Sequence, residues 1–469
     1  MGRKLHIAKR SCLNWMCLVL CLAITQVSCK KDKNNKPDYP IGTNENINTW
    51  ILDSLKRYYY WNESLPAMPN FSIAPKDFLN AVRNGSDRFS YMILPNDPTS
   101  YTPNAKGKYG FDYSAIKELN TGEVIGIVTL VFSDSPASRN GLKRGDYIRK
   151  INGKQLTETN AAALQTELLS ADNVTLGLAE QVGNSWSDTR SVEVGIGVIL
   201  DQRETSRIIE SEGKKIGYLS FHSFNPGLAS SLKNVFANFK SNGISDLVLD
   251  LRYNSGGQVS EAAGLCAMIA PGISFASQFI TYKGNKNGGV RNETLGSTAT
   301  FDRTVNFNSL LESNLGLSRV YILGTGATAS AAEVMINNLK PYMQVTLIGD
   351  KTIGKDEASF LISDMRTPKQ VLWEMHPIIY KLFNASGNGN YSAGIIPDIP
   401  VNEFASLPLL PFGEANDPLV KAAITSITGK VKSSVSSLKT AGPGSLTAGI
   451  LLTNTHMLSA QKSMVITHR

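Results

Sequence analysis

The chain has 469 residues, room for two or three domains, with 42% hydrophobic content and a formal net charge of +8. Four of the basic residues, Arg3, Lys4, Lys9 and Arg10, fall in the first ten positions, and without them the chain is only mildly basic at +4. No Lys/Arg stripe with interleaved aromatics is present, so nucleic acid is not an expected partner.

Met1 to Ser28 reads as a secretory signal. Its positive start is followed by an apolar run, Leu13 to Ile24, too short for a comfortable membrane span. Gln26-Val27-Ser28-Cys29 resembles a bacterial lipobox, with Cys29 as the lipidation site, although Gln26 departs from the usual aliphatic residue. Cys12, Cys17 and Cys21 leave with the signal, and Cys29 and Cys266 remain. A lipidated Cys29 leaves no pair for an internal disulfide, and two cysteines do not make a metal site. Residues 29–44, with their polar KKDKNNK run, read as a tether.

Residues 45–104 read as a small helical unit. In Asn46 to Trp61 the residues Ile47, Trp50, Ile51, Leu55 and Tyr58 share one helical face. Asp77 to Val82 is a second helix, and Asp87-Arg88-Phe89-Ser90-Tyr91 closes the unit, its aromatics read as core. Strand-like runs follow at Val124–Phe132, Tyr147–Ile151, Val174–Leu178 and Val192–Ile199. With Ser135-Pro136-Ala137, Gly141-Leu142-Lys143-Arg144-Gly145-Asp146 and Ile151-Asn152-Gly153, the span 105–203 resembles a PDZ domain. That resemblance implies an extended C-terminal peptide added to a sheet edge. Tyr109-Gly110-Phe111 would be the carboxylate loop, though it departs from the usual Gly-Leu-Gly-Phe type.

Residues 204–430 read as an α/β core. Lys215–Phe221 is a strand, Leu228–Phe239 an amphipathic helix, and Asp246–Leu251 an apolar run suited to a buried parallel strand. It runs into Arg252-Tyr253-Asn254-Ser255-Gly256-Gly257, whose glycines permit close backbone approach, and then the helix Val259–Ile269. Arg319–Leu323 is a second buried strand. Gly324-Thr325-Gly326 breaks it, and Ala329-Ser330-Ala331-Ala332-Glu333 opens a helix to Leu339. Ser330 therefore stands where free N–H groups at a helix start can face an oxyanion. Lys355 follows the next strand, Val345–Ile348, and Ser-Lys is a known nucleophile–base pair. The same residues also fit a dinucleotide fingerprint, Gly324-x-Gly326-x-x-Ala329 with Asp350 beyond. Val371–Tyr380 is strand-like, and residues 431–469 lose periodicity and read as a disordered tail.

Four strings in order carry a wider resemblance: Asp250-Leu251-Arg252-x-Asn254-x-Gly256-Gly257, Ala327 to Glu333, Gly354-Lys355, and Gly394-Ile395-Ile396-Pro397-Asp398-Ile399. Together they resemble the C-terminal processing (tail-specific) serine peptidases of family S41, in a lipoprotein of Bacteroidetes type. The resemblance implies an α/β protease core of ClpP/crotonase type, with a PDZ domain inserted or preceding and a helical N-terminal domain. It implies Ser330 as nucleophile, Lys355 as base, and the N–H groups of Ala331 and of the Gly256-Gly257 turn as the oxyanion hole. No cofactor or metal is implied, and the partners are protein substrates met through their C-termini. Ser359 stands where many members place a Gln that supports the lysine. Asp356 and Glu357 flank the base, and a carboxylate beside a lysine raises its pKa. A lysine must be neutral to take the serine proton, and bringing it from ~10.4 to ~7 costs about 4–5 kcal/mol. His222 is the alternative base; His376 is the other core histidine. The implied protein is an exported, membrane-anchored endopeptidase, periplasmic or outer-membrane associated. The runner-up is an inactive peptidase fold serving as a peptide-binding scaffold.

Overall fold

Asp246–Asp250 is buried at every position, as a strand covered on both faces must be. In the computed structural model, which describes residues 39–118, 122–183, 185–200, 204–303, 305–429 and 448–453, this strand lies inside a six-stranded sheet. The order is Ile399–Pro400, Gln344–Gly349, Arg319–Gly324, Asp246–Asp250, Lys214–Ser220, Thr205–Ser211. All neighbours run parallel except Thr205–Ser211, which pairs antiparallel with Lys214–Ser220. Successive side chains alternate between the faces. Leu247 and Leu249 join Phe236, Cys266, Val334 and Ile336 in the larger core. Val248, Tyr321 and Leu323 face the helix Pro418–Thr428 through Leu419, Val420 and Ala423.

In an open parallel sheet the loops at the carboxyl ends of the strands build the ligand site. Three adjacent strands supply them here. Asp246–Asp250 leads into the Gly256-Gly257 turn, Arg319–Gly324 into Ser330, and Gln344–Gly349 into Lys355. Beyond Lys355 the chain enters a four-stranded antiparallel sheet, in the order Val290–Thr294, Gln278–Lys283, Ile378–Asn384, Glu357–Ser359.

The helices Asn44–Tyr58 and Pro75–Val82 pack Ile51, Leu55, Phe78 and Leu79 onto Met92, Met375 and Ile379. The strand Tyr91–Ile93 pairs with Glu374–His376 and ties this N-terminal unit to the core. A third unit holds the strands Phe111–Glu118, Val124–Val131, Tyr147–Ile151, Asn173–Val182 and Ser185–Gly195 around its own core. The expected strand at 192–199 is instead the far half of the hairpin partner Ser185–Gly195.

The expected disorder of 431–469 fails at one place. Ala448–Thr453 forms a strand antiparallel to Phe111–Glu118, with Ile450 opposite Ile116. The short apolar run AGILLT can pair with an open edge, and its Ser- and Gly-rich flank hid it from a periodicity search. The remainder of that tail, the signal, Cys29 and most of the tether lie outside the described residues. No helix among the described residues is long and apolar enough to cross a membrane.

Candidate active site

Ser330 takes φ 64° and ψ −120° at the cap of the helix Ala331–Leu339. A positive φ is uncommon outside glycine, and such strain collects at functional positions. The residue is completely buried. Its N–H does not face solvent or a ligand but donates to Glu333 Oε2 at 2.8 Å.

Glu333 is the hub of the site. Its Oε2 also accepts from Lys355 N at 2.7 Å, so one carboxylate oxygen binds the main chains of both Ser330 and Lys355. Oε1 accepts from Gly354 N at 2.6 Å and from Thr352 Oγ1 at 2.5 Å. Burial raises the Glu333 pKa, and these four hydrogen bonds oppose the rise. Sequence reading placed Glu333 in a motif without giving it a task. The signal was present, since Ser followed three residues later by Glu is capping-box spacing.

Lys355 is fully buried, its amine 5.3 Å from the centre of the Phe89 ring. Burial lowers its pKa to about 8, against Glu357, Glu333 and Asp87, which raise it. The acidic flank is therefore outweighed by desolvation. Lys381 reduces the flank further: its Nζ holds Asp356 Oδ1 at 2.9 Å and Glu357 Oε1 at 2.5 Å. The Gly394-Ile395 string braces the same loop, with Ile395 N donating to Thr352 Oγ1 at 2.7 Å and Thr352 N to Ile395 O at 3.1 Å.

The Asn254–Gly257 turn is sewn to the Ser330 loop. Ala329 N donates to Asn254 O at 3.0 Å, and Thr328 Oγ1 to Leu251 O at 2.8 Å. Gly256 has φ 102°, and a Cβ there would lie 2.6 Å from Ser330 Cβ and 2.9 Å from Ala331 N. Its N–H is not a free donor, because Asn254 Oδ1 accepts it at 2.9 Å. That removes Gly256 from the expected set of oxyanion donors and leaves its lack of a side chain as its contribution. The N–H groups of Gly257 and Ala331 have no partner among the described residues. A cavity of about 520 Å³ opens beside this turn, lined among others by Ser255, Ser223, His222, Phe221, Lys106 and Phe132.

The other expected residues fall as follows. Ser359 is buried in the strand Glu357–Ser359 that follows Lys355. His222 packs between Phe132 and Phe412, and burial lowers its pKa to about 4. The charges that act on it are Lys106, Asp250, Arg144 and Arg252, none of them part of the Ser330–Lys355 cluster. His376 stacks on Tyr91 at 4.6 Å, and its pKa falls to about 4 through burial and then Lys355.

Tyr109-Gly110-Phe111 is not an open carboxylate loop. Gly110 N closes the helix Ala105–Tyr109 on Ala105 O and Lys106 O, and Tyr109 and Phe111 are buried. The adjoining strand edge is the one taken by Ala448–Thr453. The dinucleotide fingerprint fails for an electrostatic reason. A buried carboxylate, Glu333, already occupies the helix start where a pyrophosphate would sit. Cys266 is buried in its helix, and its thiol pKa is raised by burial, as expected of an inert cysteine.

A buried serine with positive φ at a strand-to-helix turn, joined through one carboxylate to a buried lysine of lowered pKa, is an arrangement that a serine-type peptidase can use. Residues 215–401 match the family model Peptidase family S41, and residues 46–91 match Peptidase S41 N-terminal domain. The chain thus carries Peptidase family S41 domains over these two spans. A carboxyl-terminal-processing protease of Synechocystis sp. is 24% identical over 354 residues, 68% of this chain and 72% of its own length. A CtpA-like serine protease of Staphylococcus aureus is 25% identical over 342 residues, 70% of this chain but 60% of its own length. Among solved structures, an S41 protease from Bacteroides fragilis is 27% identical, with a TM-score of 0.66 over 84% of this chain and 99% of that one.

Proposed function

We propose that the chain is an endopeptidase that cleaves exported proteins presenting an accessible, apolar C-terminus, with Ser330 as nucleophile and Lys355 as general base. One observation carries the reading: a single buried carboxylate oxygen of Glu333 binds the N–H groups of both Ser330 and Lys355. With a pKa of about 8, about a tenth of the Lys355 amines are neutral at pH 7. The neutral amine takes the Ser330 proton as Oγ attacks the scissile carbonyl. The N–H groups of Gly257 and Ala331 meet the developing oxyanion, typically worth ~3–4 kcal/mol each. The ammonium then returns its proton to the leaving amine, and water releases the acyl group by the same route.

The cavity beside the Gly256-Gly257 turn suits an extended apolar segment, with Phe221 and Phe132 in its wall. The unit spanning 105–203 is assigned to a PDZ-like role over that cavity, since Lys106 and Phe132 belong to it. Export and anchoring through Cys29 rest on the signal and lipobox strings. The name of the Synechocystis relative, a carboxyl-terminal-processing protease, supports the substrate class. Of the two grounds for the scaffold alternative, Ser359 in place of a Gln and the acidic flank of Lys355, the second is outweighed by desolvation. A serine-directed fluorophosphonate probe is the test. It should label Ser330 in the wild type and not in Lys355→Ala; absence of labelling in the wild type would return the scaffold reading to first place.

A further inference from the structure

We propose that the N-terminal helical unit forms part of the catalytic centre: Phe89 seals the Lys355 amine from water, and Arg88 fixes the loop that presents it. Both are positioning residues, and the inference rests on the reading of Lys355 as base. Arg88 lies on the surface, yet its Nη2 reaches three carbonyl oxygens around the base: Ser392 at 2.8 Å, Gly354 at 2.9 Å and Ile353 at 3.2 Å. Two of those carbonyls belong to the residues directly before Lys355. The guanidinium also rests on the Phe89 ring, with Cζ 4.6 Å from its centre, and the same ring has Lys355 Nζ at 5.3 Å. Phe89 is 2% exposed.

The segment that carries these two residues is held rigidly. Asp87 Oδ1 accepts from Phe89 N at 3.0 Å and Ser90 N at 2.8 Å, and Asp87 Oδ2 from the Tyr59 hydroxyl at 2.8 Å. Ser90 Oγ accepts from Ile378 N at 2.9 Å, and Tyr91–Ile93 pairs with Glu374–His376. The unit is therefore stitched to the core on both sides of Arg88-Phe89. A core without it would present Lys355 to water from that side, and the amine would revert toward an ordinary lysine.

The charged and titratable groups that face Lys355 are Glu333 from the helix Ala331–Leu339, Glu357 from the strand that follows, Asp87 and Arg88 from the N-terminal unit, and His376. The three carboxylates stabilise the ammonium; burial, to which Phe89 contributes, opposes them. Removing the ring thus has a definite sign. Phe89→Ala admits water, raises the base pKa, and moves the acid limb of kcat/KM to higher pH. Phe89→Leu keeps the apolar cover while losing the attraction between ring and cation, so its limb stays or moves to lower pH.

The test is kcat/KM against pH for the full chain on an unstructured reporter, with Phe89→Ala, Phe89→Leu, Arg88→Ala, Arg88→Lys and Lys355→Ala beside the wild type. Phe89→Ala should shift the acid limb upward by about one unit or more, a loss of about tenfold at pH 7. Arg88→Ala should lower kcat about tenfold or more with KM unchanged, because the loop it holds carries the base and not the substrate. Arg88→Lys should recover part of that loss. Arg88 is a surface residue, so its variants decide the matter if Phe89→Ala does not fold. An unmoved limb in Phe89→Ala, or an unchanged kcat in Arg88→Ala, overturns the inference while Lys355→Ala stays dead. Activity in Lys355→Ala instead removes the base assignment itself, and the two failures are thereby distinct.

Discussion

Glu333 commits both carboxylate oxygens to groups that hold Ser330 and Lys355, the proposed nucleophile and base, in place. A glutamine there offers one acceptor oxygen and turns an NH2 toward two N–H donors. Glu333→Gln should therefore lose ~2–4 kcal/mol of stability in denaturant unfolding. It also removes a charge that raises Lys355, so whatever activity remains should show its acid limb at lower pH. An unchanged unfolding midpoint would mean the four hydrogen bonds carry little. Gly256 has no room at all: a Cβ 2.6 Å from Ser330 Cβ, at φ 102°, must displace the nucleophile. Gly256→Ala should lose activity by about a hundredfold or more, read as kcat/KM on the reporter. The placement of Ser330, Lys355 and the glycine turn just beyond strand ends was legible in the sequence, because apolar runs stop there and glycines follow. Glu333 and Phe89 were not, because nothing local tells a hub carboxylate from a helix cap, or a seal from core.

The strand Glu357–Ser359 shows how an element tunes the base it follows. It sets Glu357 against Lys355, while Lys381 from the neighbouring strand neutralises part of that charge. Glu357→Gln removes the largest charge that raises the lysine. The acid limb should move to lower pH by about one unit or more, in the direction opposite to Phe89→Ala; a shift to higher pH would contradict this balance. The parallel strands of the core could be read from their apolar runs. The antiparallel strands Gln278–Lys283 and Val290–Thr294 could not, since their mixed polarity gave no period to find. Val371–Tyr380 was read as one strand, but Pro377 divides it into Glu374–His376 and Ile378–Asn384, which belong to different sheets.

Across the whole molecule, a buried charge network joins the units. Arg252 holds Asp250 at 2.7 Å and Asp417 at 3.0 Å, linking the strand before the Gly256-Gly257 turn to the start of the helix Pro418–Thr428. Arg144, from the unit spanning 105–203, reaches Glu403 at 3.7 Å and Asp417 at 3.9 Å, with Phe412 4.5 Å beneath it. Arg144→Met leaves buried carboxylates short of a partner and should cost about 3–5 kcal/mol in thermal or denaturant unfolding. A midpoint equal to wild type would mean the unit is held by other contacts. No sequence pattern announces such a network, because its members lie up to 273 positions apart, from Arg144 to Asp417.

The central claim is that Ser330 and Lys355 are nucleophile and base on one carboxylate hub. Its most direct test is degradation of an unstructured reporter with an apolar C-terminal tail by the purified protein, beside Ser330→Ala and Lys355→Ala, each checked for native unfolding behaviour. The account predicts cleavage by wild type and none by either folded variant. Cleavage by Lys355→Ala at the wild-type rate would contradict it and move the search for the base to His222.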